Sequence, residues 1–144
     1  SLPALVWAWQ WVLAVVDPPS LLPGHRYRQA RRWRSHYALL LANPHRAAVP
    51  QAMQVQMVLF RGAVAEREYR LNEARDDYTY VEAIHRALAE GAPDNDAYRR
   101  DWSISLNNLG RVAETKNQLD AARSAFAQAE AIRRALAEGA PDND

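Results

Sequence analysis

The chain has 144 residues, of which 49% are hydrophobic and 24% charged, a composition typical of one soluble globular domain. It contains no cysteine, which excludes disulfides, thiol catalysis and thiolate metal sites and fits a reducing compartment such as the cytoplasm. Residues 1–48 hold six arginines and one aspartate (+5), whereas residues 49–144 hold twelve basic and sixteen acidic residues (−4), so the formal net charge of +1 conceals two different surfaces.

The first predicted element is a helix over residues 2–16, in which Gln10 is the only polar residue. A helix that is apolar all round must be covered all round. Three explanations remain open: burial beneath its own hairpin and a domain upstream, self-association through Trp7, Trp9 and Trp11, or a membrane segment. Fifteen residues span about 22 Å, which is shorter than the ~30 Å hydrocarbon core of a bilayer. We therefore expect no membrane contact unless the segment continues upstream.

A second helix is predicted over Arg26–Ala42, after a proline-rich turn at residues 17–24. One face of this helix is apolar. The remaining face carries four arginines: Arg28, Arg31, Arg32 and Arg34. These could attract a polyanion or an acidic partner, but no aromatic residue interleaves with them. We expect a solvated surface and no nucleic-acid partner.

The remainder of the chain is an internal repeat with a period of 48 residues. The phrase RALAEGAPDND occurs at 86–96 and again at 134–144, and 21 of 48 positions are identical between residues 49–96 and 97–144. A fixed period of this length is typical of stacked supersecondary units. The sequence predicts two repeat units, 49–96 and 97–144, after a degenerate hairpin at 1–48. Because the chain starts at Ser1 and ends within the repeated phrase, we expect it to be part of a longer protein.

Each repeat unit is predicted to contain two helices. In the last unit, apolar residues recur every three or four positions over Leu119–Leu136, as on one face of a helix. A Gly-x-Pro signal at 91–93, repeated at 139–141, marks the end of the second helix of each unit. Asp96 is the predicted N-cap of the next helix, which covers about Tyr98–Lys116.

The residue pattern within each unit resembles the tetratricopeptide repeat, W-x2-L-G-x2-Y followed by A-x3-F. The last unit has LNNLGRVA at 106–113 and ARSAF at 122–126. The equivalents in the preceding unit are Val58, Gly62, Ala65, Ala74, Tyr78 and Val81. The period exceeds the family's usual length of about 34 residues, and Leu and Ala replace its large Trp and Tyr. The resemblance implies stacked helical hairpins, as in the extended arrays of bacterial multidomain proteins.

Small residues are expected where the two helices of a unit approach most closely. Gly110 and Ala122 hold those positions in the last unit, and the distance between packed helices depends on side-chain bulk at the contact. We expect Phe126 to fill the space between one hairpin and the next. The stripe holding Phe126 and Ile132 is expected to be partly open on one side.

The resemblance also implies a concave groove, lined by the first helix of each unit, that binds a peptide. Carried over by position, the groove residues are Gln56, Leu59, Ala63, Glu66 and Arg67 in one unit and Ile104, Asn107, Arg111, Glu114 and Thr115 in the next. This mixture of polar groups suits hydrogen bonding to a peptide. The family's clamp for a C-terminal carboxylate, made by Lys and Asn, is not predicted, because Asn107 and Arg111 hold its positions in one unit and Leu59 and Ala63 in the other.

Nothing in the sequence predicts catalysis. The four histidines, His25, His36, His45 and His85, lack metal-ligand spacing, and His85 aligns with Arg133, which predicts an exposed repeat position. The acids around Asp94 lack the glycine and the closing glutamate of a calcium loop. No phosphate loop or nucleophile elbow is present. We expect no enzyme activity, no metal and no cofactor.

Together these patterns predict an all-α fold in which three antiparallel helical hairpins stack as a short right-handed solenoid of the tetratricopeptide type. The predicted function is a cytoplasmic scaffold for protein–protein interaction, which docks a peptide or a neighbouring domain through its concave face. The alternative is a structural spacer, or a self-association segment that forms a homo-oligomer through its tryptophan-rich first helix.

Overall fold

The computed structural model describes residues 50–139, together with Ala42. Four α-helices follow one another: α1 (Gln51–Arg67), α2 (Leu71–Gly91), α3 (Asp96–Thr115) and α4 (Leu119–Glu138). The described residues contain no β-strand, which confirms the prediction of an all-helical fold for this part of the chain. The predicted hairpin at 1–48, with Trp7, Trp9 and Trp11, lies outside the described residues, except that Ala42 is helical and exposed.

The 48-residue period of the sequence reappears in the helix boundaries. α1 ends at Arg67 and α3 ends at Thr115, while α2 begins at Leu71 and α4 begins at Leu119. Each pair of boundaries is therefore separated by one period. The two sequence repeats therefore share the geometry of the turn between their helices.

The hydrogen bonds of the two turns explain this match. In the first turn, the amide of Arg70 donates to the carbonyl of Ala65 at 2.8 Å, and in the second the amide of Gln118 donates to the carbonyl of Ala113 at 2.8 Å. Bonds of this kind satisfy carbonyl groups that the end of a helix leaves free, and they require one residue in the left-handed region. That residue is Tyr69 in the first turn and Asn117 in the second, each with a φ of 58°.

Replacing Tyr69 by Asn should raise the free energy of unfolding by about 1 kcal/mol. The left-handed conformation costs a residue with a Cβ roughly 1–2 kcal/mol, and Asn tolerates it better than a bulky side chain. Tyr69 is 78% exposed, so its removal sacrifices little buried surface. The opposite exchange, Asn117→Tyr, should destabilise the chain by a similar amount. Urea denaturation measures both, and a Tyr69→Asn variant no more stable than the native chain would argue against strain at this turn.

The N-cap of α3 lies one residue earlier in the chain than predicted. Asn95 is the N-cap, and its side-chain oxygen accepts a hydrogen bond from the amide of Tyr98 at 3.0 Å. Asp96 is the first helical residue, where its carboxylate lies 3.6 Å from the guanidinium of Arg99. The prediction of Asp96 as the cap was wrong because Asn and Asp have nearly equal preference for that position.

The chain divides into two compact units at Ala74, inside α2. Within the described residues, the first unit contains α1 and residues 71–74. The second unit contains the rest of α2 with α3 and α4. The second unit therefore joins the second helix of one sequence repeat to both helices of the next.

α1 is buried around most of its circumference. Met57, Val58 and Phe60 are at most 2% exposed, and the consecutive residues 62–65 are buried as well. Consecutive buried positions point in different directions around a helix, so α1 is covered on several sides. Among the described residues of the first unit, α1 supplies most of the buried side chains.

α3 and α4 pack against each other through small residues. A Cβ placed on Gly110 would lie 2.6 Å from Cε1 of the Phe126 ring, so only glycine permits this approach. Ala122 and Ala129, on α4, are 3% and 0% exposed. The close approach of α3 and α4 at Gly110 and Ala122 confirms the prediction that small residues lie at this contact. Phe126, expected between hairpins, lies on Gly110 within its own hairpin and is half-buried.

Candidate functional site

Three helices of the second compact unit, α2, α3 and α4, surround an open groove with a volume of about 400 Å³. The floor belongs to α3 and is apolar: Leu106, Leu109, Val112 and Ala113. The wall on α2 is lined by Arg75, Thr79, Glu82 and Arg86. The opposite wall is formed by Gln118, the N-cap of α4, and by Ala121, Ser124, Ala125 and Gln128 of that helix. Such a groove suits a ligand that has apolar side chains for the floor and hydrogen-bonding groups for the walls.

The length of the groove follows from the spacing of its wall residues. Arg75 and Arg86 are separated by eleven positions on α2, which corresponds to about 16 Å at 1.5 Å per residue. An extended peptide rises about 3.3 Å per residue. About five residues of an extended peptide therefore match the wall.

A buried carboxylate holds the α2 wall in place. Glu82 is only 8% exposed, and its Oε1 accepts a hydrogen bond from the indole Nε1 of Trp102 at 3.1 Å. The same oxygen lies 3.5 Å from the guanidinium of Arg86, one turn along α2. Buried charges are tolerated where they are paired and hydrogen-bonded. The network joins α2 to α3 and leaves the Arg86 side chain at the groove.

The α4 wall presents side-chain amides between small residues. The Nε2 of Gln128 donates to the backbone carbonyl and to the hydroxyl of Ser124, each at 3.3 Å. Gln118 and Ala121 are exposed further along the same wall. Alanine at two of the lining positions keeps the groove open, and the amides can both donate and accept hydrogen bonds.

His85 is half-buried between α2 and α3, contrary to the prediction of an exposed repeat position. Its Nδ1 lies 2.6 Å from the hydroxyl oxygen of Ser105. Burial lowers the pKa of His85 below its ordinary value of 6.5, although the nearby charges of Asp101 and Glu82 raise it in part. The alignment with Arg133 was misleading because α3 covers His85.

The stability of the protein should fall as His85 becomes protonated. Because its pKa is lower in the folded state, the unfolded state binds more protons between the two pKa values, and stability rises with pH there. The contribution is complete above 6.5 and is lost as the pH falls through the lower folded pKa. We expect the melting temperature to fall more steeply from about pH 7 to about pH 5 in the native chain than in His85→Gln, which cannot titrate. Parallel melting profiles for the two chains would contradict this assignment.

A second cavity of about 370 Å³ lies between the beginning of α3 and the end of α4. Its lining residues are Asp96, Arg100, Ser103, Ile104, Arg133, Leu136 and Ala137. Asp96 begins α3, whereas Leu136 and Ala137 belong to the last turn of α4, so the two helices run in opposite directions. This cavity combines two arginines with Ile104, Leu136 and Ala137, and on α3 it has one apolar residue where the groove has an apolar floor.

The residues predicted for a concave groove lie on α1, in the first compact unit, and on α3, in the second compact unit. On α1, Gln56, Leu59 and Glu66 are half-buried, Ala63 is buried and Arg67 is exposed. On α3, Ile104, Glu114 and Thr115 are exposed and Asn107 and Arg111 half-buried. Of all these, only Ile104 lines either of the two cavities described above. A peptide-binding role for these residues stays a prediction.

Local hydrogen bonds engage two of the predicted residues on α3. Arg111 donates to the side-chain oxygen of Asn108 at 3.1 Å, and the hydroxyl of Thr115 donates to the carbonyl of Arg111 at 3.0 Å. Both bonds stay within one helix. They orient these side chains along α3.

The groove walls were missed in the sequence because both belong to second helices, whereas the resemblance directs attention to first helices. The sequence contained one signal of the α2 wall. Arg75, Thr79, Glu82 and Arg86 follow each other at steps of four, three and four residues, a polar stripe on one helical face. A solvated helix surface has the same pattern, so the stripe alone does not identify a groove.

Within the described residues, no three His, Asp or Glu side chains cluster in a way that could hold a metal ion. None of the four helices is both long and apolar enough to cross a bilayer. The apolar segment at 2–16 lies outside this range.

Comparison of the chain with protein-family models, curated proteins and solved structures returns no match. The resemblance to the tetratricopeptide repeat therefore rests on the residue pattern. What the groove binds must follow from its shape and chemistry.

Proposed function

We propose that residues 49–144 form a scaffold for protein–protein interaction, without catalytic chemistry, in which the groove between α2, α3 and α4 binds a short peptide segment of a partner. The observation that carries this proposal is the groove, with its volume of about 400 Å³, apolar floor and polar walls. Ligand sites are typically concave and apolar, with a few fixed polar groups that orient the ligand. Stacked hairpins of the tetratricopeptide type are a framework on which such grooves form between neighbouring units.

The walls favour a peptide that carries a carboxylate. The lining residues include two arginines and one glutamate, a net charge of +1 (two minus one). Glu82 is already engaged by Trp102 and Arg86. Arg75 is 47% exposed, and its partner Asp76 is the exposed neighbour in sequence, so the guanidinium is accessible to an additional anion. The favoured ligand has an acidic residue near Arg75 and apolar side chains over Leu106 and Leu109.

Selection from a displayed library of random seven-residue peptides tests the proposal. The full chain should enrich peptides that combine apolar and acidic residues, with micromolar affinity in fluorescence polarisation. Ala121→Trp, which fills the groove from an exposed lining position, should weaken binding of the selected peptides at least tenfold.

The matched control is Ala127→Trp, at an exposed position of α4 that lines neither cavity. Its affinity for the selected peptides should equal that of the native chain. The proposal fails if no peptide is enriched, or if both tryptophan variants bind the selected peptides as the native chain does.

A further inference from the structure

One face of α2 and one face of α4 consist of the same four repeat positions, separated by 48 residues. These are Tyr78, Glu82, His85 and Ala89 on α2, and Phe126, Glu130, Arg133 and Ala137 on α4. We call the second set the outer face of α4, although the Phe126 ring at one edge contacts Gly110 and Arg133 and Ala137 also line the second cavity beside α3. The two faces differ sharply in burial, although their sequences are closely related.

On α2 this face is covered. Tyr78, Glu82 and Ala89 are 1%, 8% and 4% exposed, and His85 is half-buried. On α4, the last three positions are exposed and Phe126 is half-buried. The side chain of Glu130 is 59% exposed and lies 3.6 Å from its helical neighbour Arg134. Glu82, by contrast, also accepts a hydrogen bond from Trp102 on α3.

The cover on α2 is the first helix of the next unit. Two side chains of α3 reach across: the indole of Trp102 donates to Glu82, and the hydroxyl of Ser105 lies at hydrogen-bond distance from His85. The carboxylate of Asp101, one turn before Ser105, is close enough to His85 to raise its pKa. The pattern on α3 is thus a carboxylate, an indole and a hydroxyl at positions i, i+1 and i+4.

We propose that the outer face of α4 binds the first helix of a further repeat unit, an amphipathic helix with the pattern of Asp101, Trp102 and Ser105. Glu130 keeps the carboxylate that accepts the indole N–H. Arg133 replaces His85 with a permanent cation, which pairs with a carboxylate at the Asp101 position. The docked helix also completes the burial of the Phe126 ring.

The sequence that joins α2 to α3 recurs at the end of α4. Residues 90–96, EGAPDND, lead from α2 into α3, and residues 138–144 have the same sequence. A second copy of this chain is a poor occupant, because the side chains of its Trp102 and Ser105 are already bonded to its own α2. The inference concerns a different surface from the peptide groove and does not depend on it.

An extended chain tests the proposal, in which residues 97–144 are added once more after Asp144. Amide hydrogen exchange in α4 should slow at least tenfold in the extended chain relative to the native one, because an added helix covers α4. Ala137→Glu should abolish that slowing, since its counterpart Ala89, on the covered face of α2, is only 4% exposed.

Ala131→Glu is the matched control, because Ala131 and its counterpart Ala83 are both exposed. This variant should keep the slowing in the extended chain. In the native chain, where Ala131 and Ala137 are both exposed, the two substitutions should leave the exchange of α4 equally unchanged.

Three results would overturn the proposal: exchange in α4 that is indifferent to the added unit, equal effects of the two glutamates in the extended chain, or a native dimer that Ala137→Glu dissociates in light scattering. The last result would assign the face to a second copy. Failure of peptide selection in the groove leaves these measurements unaffected, so the two proposals fail separately.

Discussion

Replacing Tyr78 by Ala lowers the free energy of unfolding by about 3–5 kcal/mol, the loss expected when a buried aromatic side chain leaves a cavity. The Tyr78 side chain is 1% exposed. Phe126 holds the same position one period later but is half-buried on α4. Because the loss scales with the apolar area withdrawn from water, Phe126→Ala should lower the free energy of unfolding less than Tyr78→Ala does. Urea denaturation curves of the two variants provide the comparison.

An exposed aromatic residue of α2 supplies the control for this pair. Tyr80 is 37% exposed, and Tyr80→Ala should cost clearly less than Tyr78→Ala. Equal losses at Tyr78 and Phe126 would mean that α4 is covered as completely as α2. That outcome would remove the distinction between the covered face of α2 and the outer face of α4.

Replacing Gly110 by Ala should destabilise the chain by about 1–3 kcal/mol, even though alanine is the better helix former. The added Cβ would lie within 3 Å of three atoms of the Phe126 ring, which must shift out of its place on α3. Crowding of this kind forces side chains from their preferred rotamers. The steric cost therefore exceeds the gain in helix propensity.

The sign of this effect should reverse when the ring is removed. In a Phe126→Ala background, Gly110→Ala should stabilise the chain by about 1 kcal/mol, because only the propensity difference remains. Gly91→Ala is the control within the native chain, since a Cβ there meets nothing within 4 Å. It should be neutral or slightly stabilising. If Gly110→Ala is destabilising to the same extent with and without the Phe126 ring, the contact does not explain the glycine.

The sequence predicts the helices and their spacing well, because these depend on local signals that occur twice. The turn residues Tyr69 and Asn117 adopt the same φ one period apart, and the predicted stop at Gly91 coincides with the end of α2. The N-cap of α3 was misplaced by one residue, since Asn95 and Asp96 compete on nearly equal terms. Whether the hairpins stack as a tetratricopeptide-like solenoid stays a proposal.

The environment of each residue depends on its neighbours in space, which a local pattern does not contain. Glu82 and Glu130 lie in the same local sequence, yet Glu82 is buried beneath Trp102 and Glu130 is exposed. His85 is another case, because only the position of α3 decides whether this residue is covered. The groove escaped prediction for the same reason, since its three sides come from three helices.

The second helix of one repeat packs against the first helix of the next through Glu82 and Trp102, and a double-mutant cycle between these two residues measures that contact directly. Glu82→Leu removes the acceptor and Trp102→Phe removes the donor of the 3.1 Å hydrogen bond. We predict a coupling energy of at least about 1 kcal/mol in the free energy of unfolding, as expected for a hydrogen bond to a charged group. Losses that add to within about 0.5 kcal/mol would contradict the claim that α2 and α3 are joined in this way.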